Sequence, residues 1–292
     1  MGFGSELSKL LQAKNIVVAP GVLDALSARI AAQAGFDCLY MSGYVNSAVM
    51  LGRPDFGLLT LPEMSARLRM LVEAAQKPII ADADTGYGNA VNVRRTVAEY
   101  IHAGAAAIQL EDQTFPKRCG HMEGKQIIPA EQMVQKVIAA GDTISELGSD
   151  MLIVARTDAR ALQGLDEAIR RGRMYAGAGA DIIFIEAPVS RQELEVVAQS
   201  FEVPLLVNLI EGAKTPILSL EELQELGFAI VIYPISALYV VSQTLTDFYQ
   251  DLKRDGTSAA WFDKMIDFAR FNAFIGLGGM RALEARYKAE GS

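Results

Sequence analysis

The chain has 292 residues, of which 51% are hydrophobic, a length that accommodates one large α/β domain or two small ones. Its formal net charge of −8 argues against a nucleic-acid partner, because phosphate backbones bind basic surfaces. No apolar stretch reaches the roughly 18 residues needed to span a membrane, so we expect no membrane partner. The two cysteines form no disulfide framework, and they suit a reducing cytoplasm.

A helix is predicted at residues 5–13, and eight short apolar runs follow it, each succeeded by a helical pattern. Most of these runs are rich in Ile, Val and Leu without polar alternation. That composition is typical of strands buried on both faces of a parallel sheet. The runs occupy residues 16–20, 38–42, 78–84, 106–112, 151–158, 181–187, 204–209 and 230–235.

Signals for helix starts and ends lie between the apolar runs. Ser or Thr followed three residues later by Glu predicts helix starts after residues 60, 190 and 219. Glycine predicts helix ends at residues 35, 104, 179 and 227. Eight strand–helix units in roughly 235 residues predict a TIM (β/α)8 barrel within residues 1–255. A doubly wound sheet is the alternative, but it usually has fewer strands and a glycine-rich nucleotide turn, which is absent after the first run.

Residues 256–292 are predicted to form a helical extension of the barrel. They follow a helix predicted at residues 238–252, and they contain two more helical stretches. The extension is rich in large apolar side chains, which are Trp261, Phe262, Ile266, Phe268, Phe271 and Phe274. So much apolar surface either packs on the chain's own barrel or forms a subunit interface, and the sequence leaves both open.

Polar side chains follow the apolar runs, at the strand ends where barrel enzymes place their chemistry. Clustered acids are costly unless a cation neutralises them, and oxygen ligands without clustered His favour Mg²⁺ or Mn²⁺ over Zn²⁺. Each residue also has a structural interpretation, as a helix cap or an ion pair. The candidates are Tyr40, Ser42, Asp82, Asp84, Glu111, Arg156, Asp158, Glu186 and Asn208.

The connection at residues 113–129, here called the lid loop, is long for a strand-to-helix loop. It carries Cys119 close to Lys117, Arg118 and His121, and two glycines give it hinge-like freedom. Positive neighbours predict a lowered thiol pKa, although an inert loop thiol is the alternative. Lys117, Arg118 and Lys125 are predicted to clamp carboxylates. Such loops often close over reactive intermediates and exclude water.

Five motifs in combination resemble the isocitrate lyase/phosphoenolpyruvate mutase superfamily, and the resemblance covers residues 17–287. They are ADADTGYGN (81–89), LED (110–112), KRCGH (117–121), ARTDA (155–159) and TPILS (215–219). The nearest branches are the 2-methylisocitrate lyases, the 2,3-dimethylmalate lyases and the petal-death-protein type. Residues 42–60 are most similar to the last branch. Tyr44 stands where methylisocitrate lyases usually have Gly.

The resemblance implies a role for each candidate residue. Mg²⁺, or Mn²⁺ in its place, would be bound most directly by Asp84. Cys119 would be the acid that protonates a departing carbanion. The other implied metal residues, which hold bound water, are Asp82, Glu111 and Asp55. The other implied catalytic residues are Lys117, His121, Arg156 and Glu186, and the implied substrate contacts are Tyr40, Ser42, Gly43, Tyr44, Gly120 and Asn208.

The activity implied by the resemblance is a Mg²⁺-dependent carbon–carbon lyase. Its substrate would be a 2-alkyl-malate, a 2,3-dialkyl-malate or a methylisocitrate-like 2-hydroxy diacid, cleaved to a 2-oxoacid and a carboxylate. The alternatives are an oxaloacetate hydrolase, a carboxyphosphonoenolpyruvate-type phosphonomutase and a non-catalytic scaffold. The resemblance also implies a homotetramer that exchanges C-terminal helices.

Overall fold

The computed structural model describes residues 2–13 and 15–288. Its contacts divide into two compact units, Met1–Tyr239 and Val240–Ser292. This division falls earlier than the predicted boundary, which ends the barrel at residue 255 and starts the extension at residue 256. The predicted boundary stays a prediction. The last residues of the predicted extension, 289–292, lie outside the described residues.

Eight parallel strands form one sheet in the first unit, in the order β1-β8-β7-β6-β5-β4-β3-β2. A bridge between Gly21 and Tyr40 joins the chain after β1 to β2, so the two ends of this order meet. The predicted barrel is therefore confirmed, and the doubly wound alternative is not formed. The strands are β1 (Val17–Pro20), β2 (Leu39–Met41), β3 (Ile79–Asp82), β4 (Ala107–Glu111), β5 (Leu152–Thr157), β6 (Ile182–Ile185), β7 (Leu205–Asn208) and β8 (Ile230–Tyr233).

Helices separate the strands and begin and end largely where the sequence predicts. Glu63 accepts a hydrogen bond from the Thr60 backbone N–H at 2.7 Å, as a capping box requires. Gly104 and Gly227 end their helices at φ values of 90° and 104°, a left-handed conformation that favours glycine. The helices of this unit are α1 (Phe3–Gln12), α2 (Ala25–Gln33), α3 (Gly43–Leu51), α4 (Leu61–Ala75), α5 (Ala90–Ala103), α6 (Ala130–Glu146), α7 (Ala159–Gln163), α8 (Leu165–Gly177), α9 (Arg191–Ala198) and α10 (Leu220–Leu226).

Two apolar layers hold the barrel together. One lies between the strands and the surrounding helices, where Leu68 of α4 and Val97 of α5 are fully buried. The other fills the barrel interior, where Ile80 and Phe184 belong to the same cluster as Leu7 of α1. Burial of apolar area on both strand faces explains why the strands lack polar alternation.

Strand register places the acidic side chains at one end of the barrel. Asp82 is aligned with Gln109 across β3 and β4, and Glu111 is aligned with Arg156 across β4 and β5. Because parallel strands point the same way, these strand ends share one rim, the carboxyl rim, where barrel enzymes place their active sites.

The second unit is helical, as predicted for the C-terminal part of the chain. Trp261 is its packed centre, because its indole Nε1–H donates to Asp251 at 3.0 Å and its ring meets Phe248 edge-on at 5.5 Å. Phe262 and Phe268 stay 66% and 86% exposed. None of the described helices has both the length and the apolar character needed to cross a membrane. The last elements of the chain are α11 (Ser236–Asp255), which begins in the first unit, a 3₁₀ helix (Ala259–Lys264), α12 (Phe268–Phe274) and α13 (Leu277–Tyr287).

Candidate active site

The loop after β3 carries two of the predicted metal residues. Asp84 has a left-handed backbone with φ of 49°, which Asp and Asn adopt more readily than most other residues. The Asp82 carboxylate accepts the Asp84 backbone N–H at 3.1 Å and the Gly43 backbone N–H at 3.0 Å. Asp82 therefore fixes both its own loop and the start of α3.

Lys117 of the lid loop places its ammonium between two acids. Its Nζ lies 2.6 Å from Asp55 Oδ2 and 2.7 Å from Asp84 Oδ1. Burial disfavours this charge, but the nearby acids, of which Asp84 and Asp55 act most strongly, together outweigh burial and raise the pKa of Lys117 well above its ordinary value. Asp55, which the resemblance implied as a metal residue, thus joins Asp82, Asp84 and Glu111 around Lys117, and these four form the acidic cluster.

The acidic cluster requires more positive charge than the described residues supply. Burial raises the pKa of Asp84 to about 7, although Lys117 acts in the opposite direction. Burial also raises the pKa of Glu111 well above its ordinary value. Glu111 Oε1 is buried and accepts no hydrogen bond from the described residues, and the buried Asp84 Oδ1 has the Lys117 ammonium beside it as an ion-pair partner. Buried oxygens in this state favour a bound cation.

These acids fit a hard divalent cation that keeps part of its water shell. In residues 2–13 and 15–288, no group of three or more His, Cys, Asp or Glu side chains converges to hold an ion directly. Mg²⁺ commonly binds through one or two carboxylates and several waters, so such a cage is not required. Glu111 supplies an oxygen without a hydrogen bond, and Asp84 supplies one that is paired with Lys117. The magnesium site stays a prediction.

Arg156 lies at the centre of the carboxyl rim, between three carboxylates. Its Nε and Nη2 donate to Asp158 at 2.9 and 3.1 Å. Its Nε lies 3.3 Å from Glu111 Oε2, and its Nη1 lies 3.3 Å from Glu186 Oε2. Burial would raise the pKa of Asp158, but Arg156 and Lys125 lower it to about 2. Asp158 therefore stays ionised and holds the guanidinium in place.

Glu186 organises the wall of the site beside Arg156. His121 Nε2 lies 2.9 Å from Glu186 Oε1, and Asn208 Nδ2 donates to both Glu186 oxygens at 3.5 Å. Burial disfavours the Glu186 carboxylate, but Arg156 and His121 together outweigh burial and lower its pKa. An ionised Glu186 thus orients the neighbouring side chains of the pocket.

The prediction of a lowered Cys119 pKa is wrong. Burial raises the pKa of this thiol above its ordinary value. Its two basic neighbours in sequence point elsewhere: Lys117 bonds the acids, and Arg118 donates to the Glu123 carbonyl and lies over the Phe56 ring. Cys119 therefore carries a proton, which is the form needed by an acid.

Lys125, which was predicted to clamp carboxylates, bonds a carboxylate of the protein itself. Its buried ammonium donates to Asp158 Oδ1 at 2.8 Å and to the Gly120 carbonyl, so it ties the lid loop to the Arg156 network. Gly120 is packed so closely that a Cβ would lie 2.4 Å from Arg156 Nη2 and 2.6 Å from Glu186 Cγ.

One cavity brings most of the predicted site together. Five predicted residues do not line this cavity themselves, but they contact its lining residues directly or through one another. They are Gly43, Asp55, Asp84, Glu111 and Lys117. The cavity also has an apolar side, which the sequence analysis did not predict, formed by Ile210, Ile232, Pro234 and Ile235. The predicted lining residues are Tyr40, Ser42, Tyr44, Asp82, Cys119, Gly120, His121, Arg156, Glu186 and Asn208.

Gln109 is a site residue that sequence reasoning missed. Its Nε2 donates to Asp82 Oδ1 at 3.2 Å, and its Oε1 accepts from the Tyr40 hydroxyl at 3.0 Å. A polar residue in the middle of a buried apolar run was the signal that could have found it. Asp112, beside Glu111 in sequence, instead accepts from Tyr175 at 2.8 Å and has a structural role.

A thiol, a buried guanidinium and a cluster of acids at the carboxyl rim occupy the place where barrel enzymes have their active sites. Comparison with known families agrees, because the model of the phosphoenolpyruvate phosphomutase family matches residues 7–253. The chain belongs to this family, within the isocitrate lyase/phosphoenolpyruvate mutase superfamily. The superfamily resemblance seen in the sequence is confirmed, and so is the expectation of an enzyme of the lyase type.

Two curated relatives align with nearly the whole chain. The 2,3-dimethylmalate lyase of Eubacterium barkeri is 49% identical over 287 residues, which cover 98% of this chain and 99% of the relative. The chloroplastic carboxyvinyl-carboxyphosphonate phosphorylmutase of Arabidopsis thaliana is 47% identical over 283 residues, covering 96% of this chain and 83% of the relative.

Solved structures share the same fold. A crystal structure of 2,3-dimethylmalate lyase matches with a TM-score of 0.94 and 37% identity, over 100% of this chain and 97% of that chain. A phosphonopyruvate hydrolase in complex with oxalate and Mg²⁺ matches with a TM-score of 0.88 and 30% identity, over 98% of this chain and 99% of that chain. A related barrel thus binds Mg²⁺.

Proposed function

We propose that the protein is a Mg²⁺-dependent carbon–carbon lyase acting on 2-hydroxy diacids with alkyl substituents, such as a 2,3-dialkyl-malate. The observation that carries the proposal is that the Cys119 thiol lines the same cavity as the Arg156 guanidinium and Asp82. Burial raises the pKa of this thiol, which favours its protonated form. A lyase of this kind needs carboxylate binding, stabilisation of negative oxygen and a proton donor at one place.

The cation has a defined task in this proposal. Asp84 would bind Mg²⁺ most directly, and Asp82, Glu111 and Asp55 would hold its waters. When bound, the ion supplies Lewis-acid stabilisation of negative charge on oxygen. Arg156 binds a substrate carboxylate or oxyanion, because its guanidinium lines the cavity and Asp158 fixes its orientation.

Cleavage requires the substrate hydroxyl to pass its proton to an ionised carboxylate of the cavity wall, for which Glu186 is in place, and the C2–C3 bond to break. The electron pair of that bond passes to C3, which becomes a carbanion beside a carboxylate. Cys119 then transfers its thiol proton to C3, and the products are a 2-oxoacid and a saturated carboxylate. After the products leave, the proton held by the carboxylate returns to the Cys119 thiolate through solvent. The lid loop supplies the thiol and His121 together and keeps water away from the carbanion.

The apolar side of the cavity supports alkyl substituents. Ile210, Ile232 and Ile235 offer no hydrogen-bond donor, so a third carboxylate placed there would lose its hydration without compensation. We therefore favour alkylated malates over the tricarboxylate methylisocitrate. Phosphonomutase activity is the second candidate, because the plant relative with that name is nearly as similar in sequence.

A substrate panel tests the proposal. Purified protein with Mg²⁺ is assayed against 2-alkyl- and 2,3-dialkyl-malates, methylisocitrate, oxaloacetate and carboxyphosphonoenolpyruvate, with release of 2-oxoacid, oxalate or a phosphonate as the measurement. We expect 2-oxoacid release, with the highest kcat/KM on an alkylated malate. Oxalate from oxaloacetate, or a phosphonate product, as the main activity would contradict the lyase assignment.

The same protein is proposed to be a homotetramer. Exposed aromatic side chains in the second unit, such as Phe262 and Phe268, support this assembly. We expect light scattering at micromolar concentration to give about four times the chain mass of 31.6 kDa. A clean monomer would contradict it, and replacing both phenylalanines by Ser is expected to weaken the assembly.

A further inference from the structure

The loop that carries Asp84 is fixed through its backbone carbonyl groups. The Ala83 carbonyl accepts the Gly86 N–H at 2.9 Å, and the Asp84 carbonyl accepts the Glu111 N–H at 3.0 Å. The Gly86 carbonyl accepts the Thr96 hydroxyl at 3.0 Å. These three donors are neutral. The Thr85 carbonyl, which lies between those of Asp84 and Gly86 in the chain, has a different kind of donor.

That carbonyl, of Thr85, accepts the ammonium of Lys136 at 2.7 Å. Lys136 lies on α6, the helix that begins directly after the lid loop, and it is only 5% exposed. Within the described part of the chain, no ion pair joins this ammonium to a carboxylate. A buried ammonium bonded to a carbonyl is an expensive arrangement, since burial lowers the pKa of Lys136.

The backbone held by Lys136 is strained. Asp84 and Tyr87 have φ values of 49° and 58°. Two non-glycine residues in the four-residue segment 84–87 therefore adopt the left-handed conformation. Such conformations cost free energy and persist only where the surroundings enforce them. The Thr85 carbonyl belongs to the peptide group directly after that of Asp84, so a charged donor there restrains the backbone at Asp84.

We propose that Lys136 is a positioning residue for the cation site, holding the strained loop so that the Asp84 carboxylate keeps the orientation that the metal requires. This inference rests on the proposed function, because it presumes a metal at Asp84. A simpler role, in which Lys136 contributes only its positive charge, has the opposite consequence. A nearby positive charge repels a divalent cation, so its removal alone would tighten metal binding.

The test is Lys136→Met in the full-length protein, which keeps the length of the side chain and removes the donor. Mn²⁺ affinity is measured by calorimetry without substrate, so the readout does not depend on turnover. We expect the Kd for Mn²⁺ to rise about 10- to 100-fold, the range found for residues that orient metal ligands. Lys136→Arg, which keeps a charged donor, is expected to restore most of the affinity.

Thr143→Val is the matched control, because the Thr143 hydroxyl bonds the Ala139 carbonyl on the same helix, away from the loop. It is expected to leave the Kd within about twofold of wild type. An unchanged or lower Kd in Lys136→Met would overturn the inference, and Lys136→Leu, which also has no donor, gives the same comparison should the Met variant not fold. Wild type that binds no Mn²⁺ would instead refute the proposed function, and the inference with it.

Discussion

Cys119→Ser is expected to lower the kcat of cleavage about a hundredfold or more, which is the scale of one positioned acid or base. Binding of the product 2-oxoacid, such as pyruvate, should be kept. Serine is nearly the same size, but its hydroxyl is a far weaker acid than a thiol. Since cleavage and condensation cross the same proton transfer, kcat should fall in both directions. The measurement is kcat for each direction, with pyruvate affinity determined by calorimetry in the presence of Mg²⁺.

The control for this prediction is the other cysteine. Cys38 is fully buried in the barrel interior, in a cluster that includes Leu7. Cys38→Ala is therefore expected to reduce the melting temperature but to leave kcat near the wild-type value. A Cys119→Ser enzyme with near-normal kcat would show that this thiol is not the acid, and the lid loop would then serve binding alone.

Asp84→Asn is expected to abolish turnover, because it removes the carboxylate proposed to bind Mg²⁺ most directly. Asn is the appropriate replacement, since at φ of 49° it avoids the backbone cost that an Ala would add. The variant should stay folded, and it should lose the increase in melting temperature that Mg²⁺ with oxalate gives to the wild type. Circular dichroism and thermal unfolding with and without the metal provide the measurement.

A surface acid provides the comparison for the Asp84 variant. Asp37 is exposed and pairs with Lys77 at 3.1 Å, so Asp37→Asn also removes one negative charge. It is expected to retain both turnover and stabilisation by Mg²⁺. Full activity of wild type after exhaustive chelation, or of Asp84→Asn with Mg²⁺ present, would disprove the role of the metal.

The barrel was predictable because each strand is buried on both faces, which leaves continuous apolar runs in the sequence. Each observed strand lies inside a predicted run, and the rim residues follow from the ends of those runs. Asp82, Glu111 and Arg156 were found in this way. Asp55 had no such signal, because it lies in a loop and reaches the acids only through Lys117.

Side-chain direction was not predictable. The sequence places Lys117 and Arg118 next to Cys119, but the fold turns both away, so burial and not positive charge sets the thiol pKa. Lys125 likewise turns inward to Asp158. Lys136 resembles an ordinary surface residue in the sequence, because nothing in a helical pattern shows that its ammonium meets a carbonyl in another loop.

The apolar side of the cavity and the proposed metal-binding acids come from different sectors of the barrel. Ile210 and Ile235 lie just after β7 and β8, and Ile232 is within β8. The proposed metal-binding acids come from β3, β4 and the loops beside them. Changes in one sector need not disturb the other. Substitution of these isoleucines, in evolution or by design, can therefore change which alkyl group is accepted while the proposed metal-binding acids stay the same.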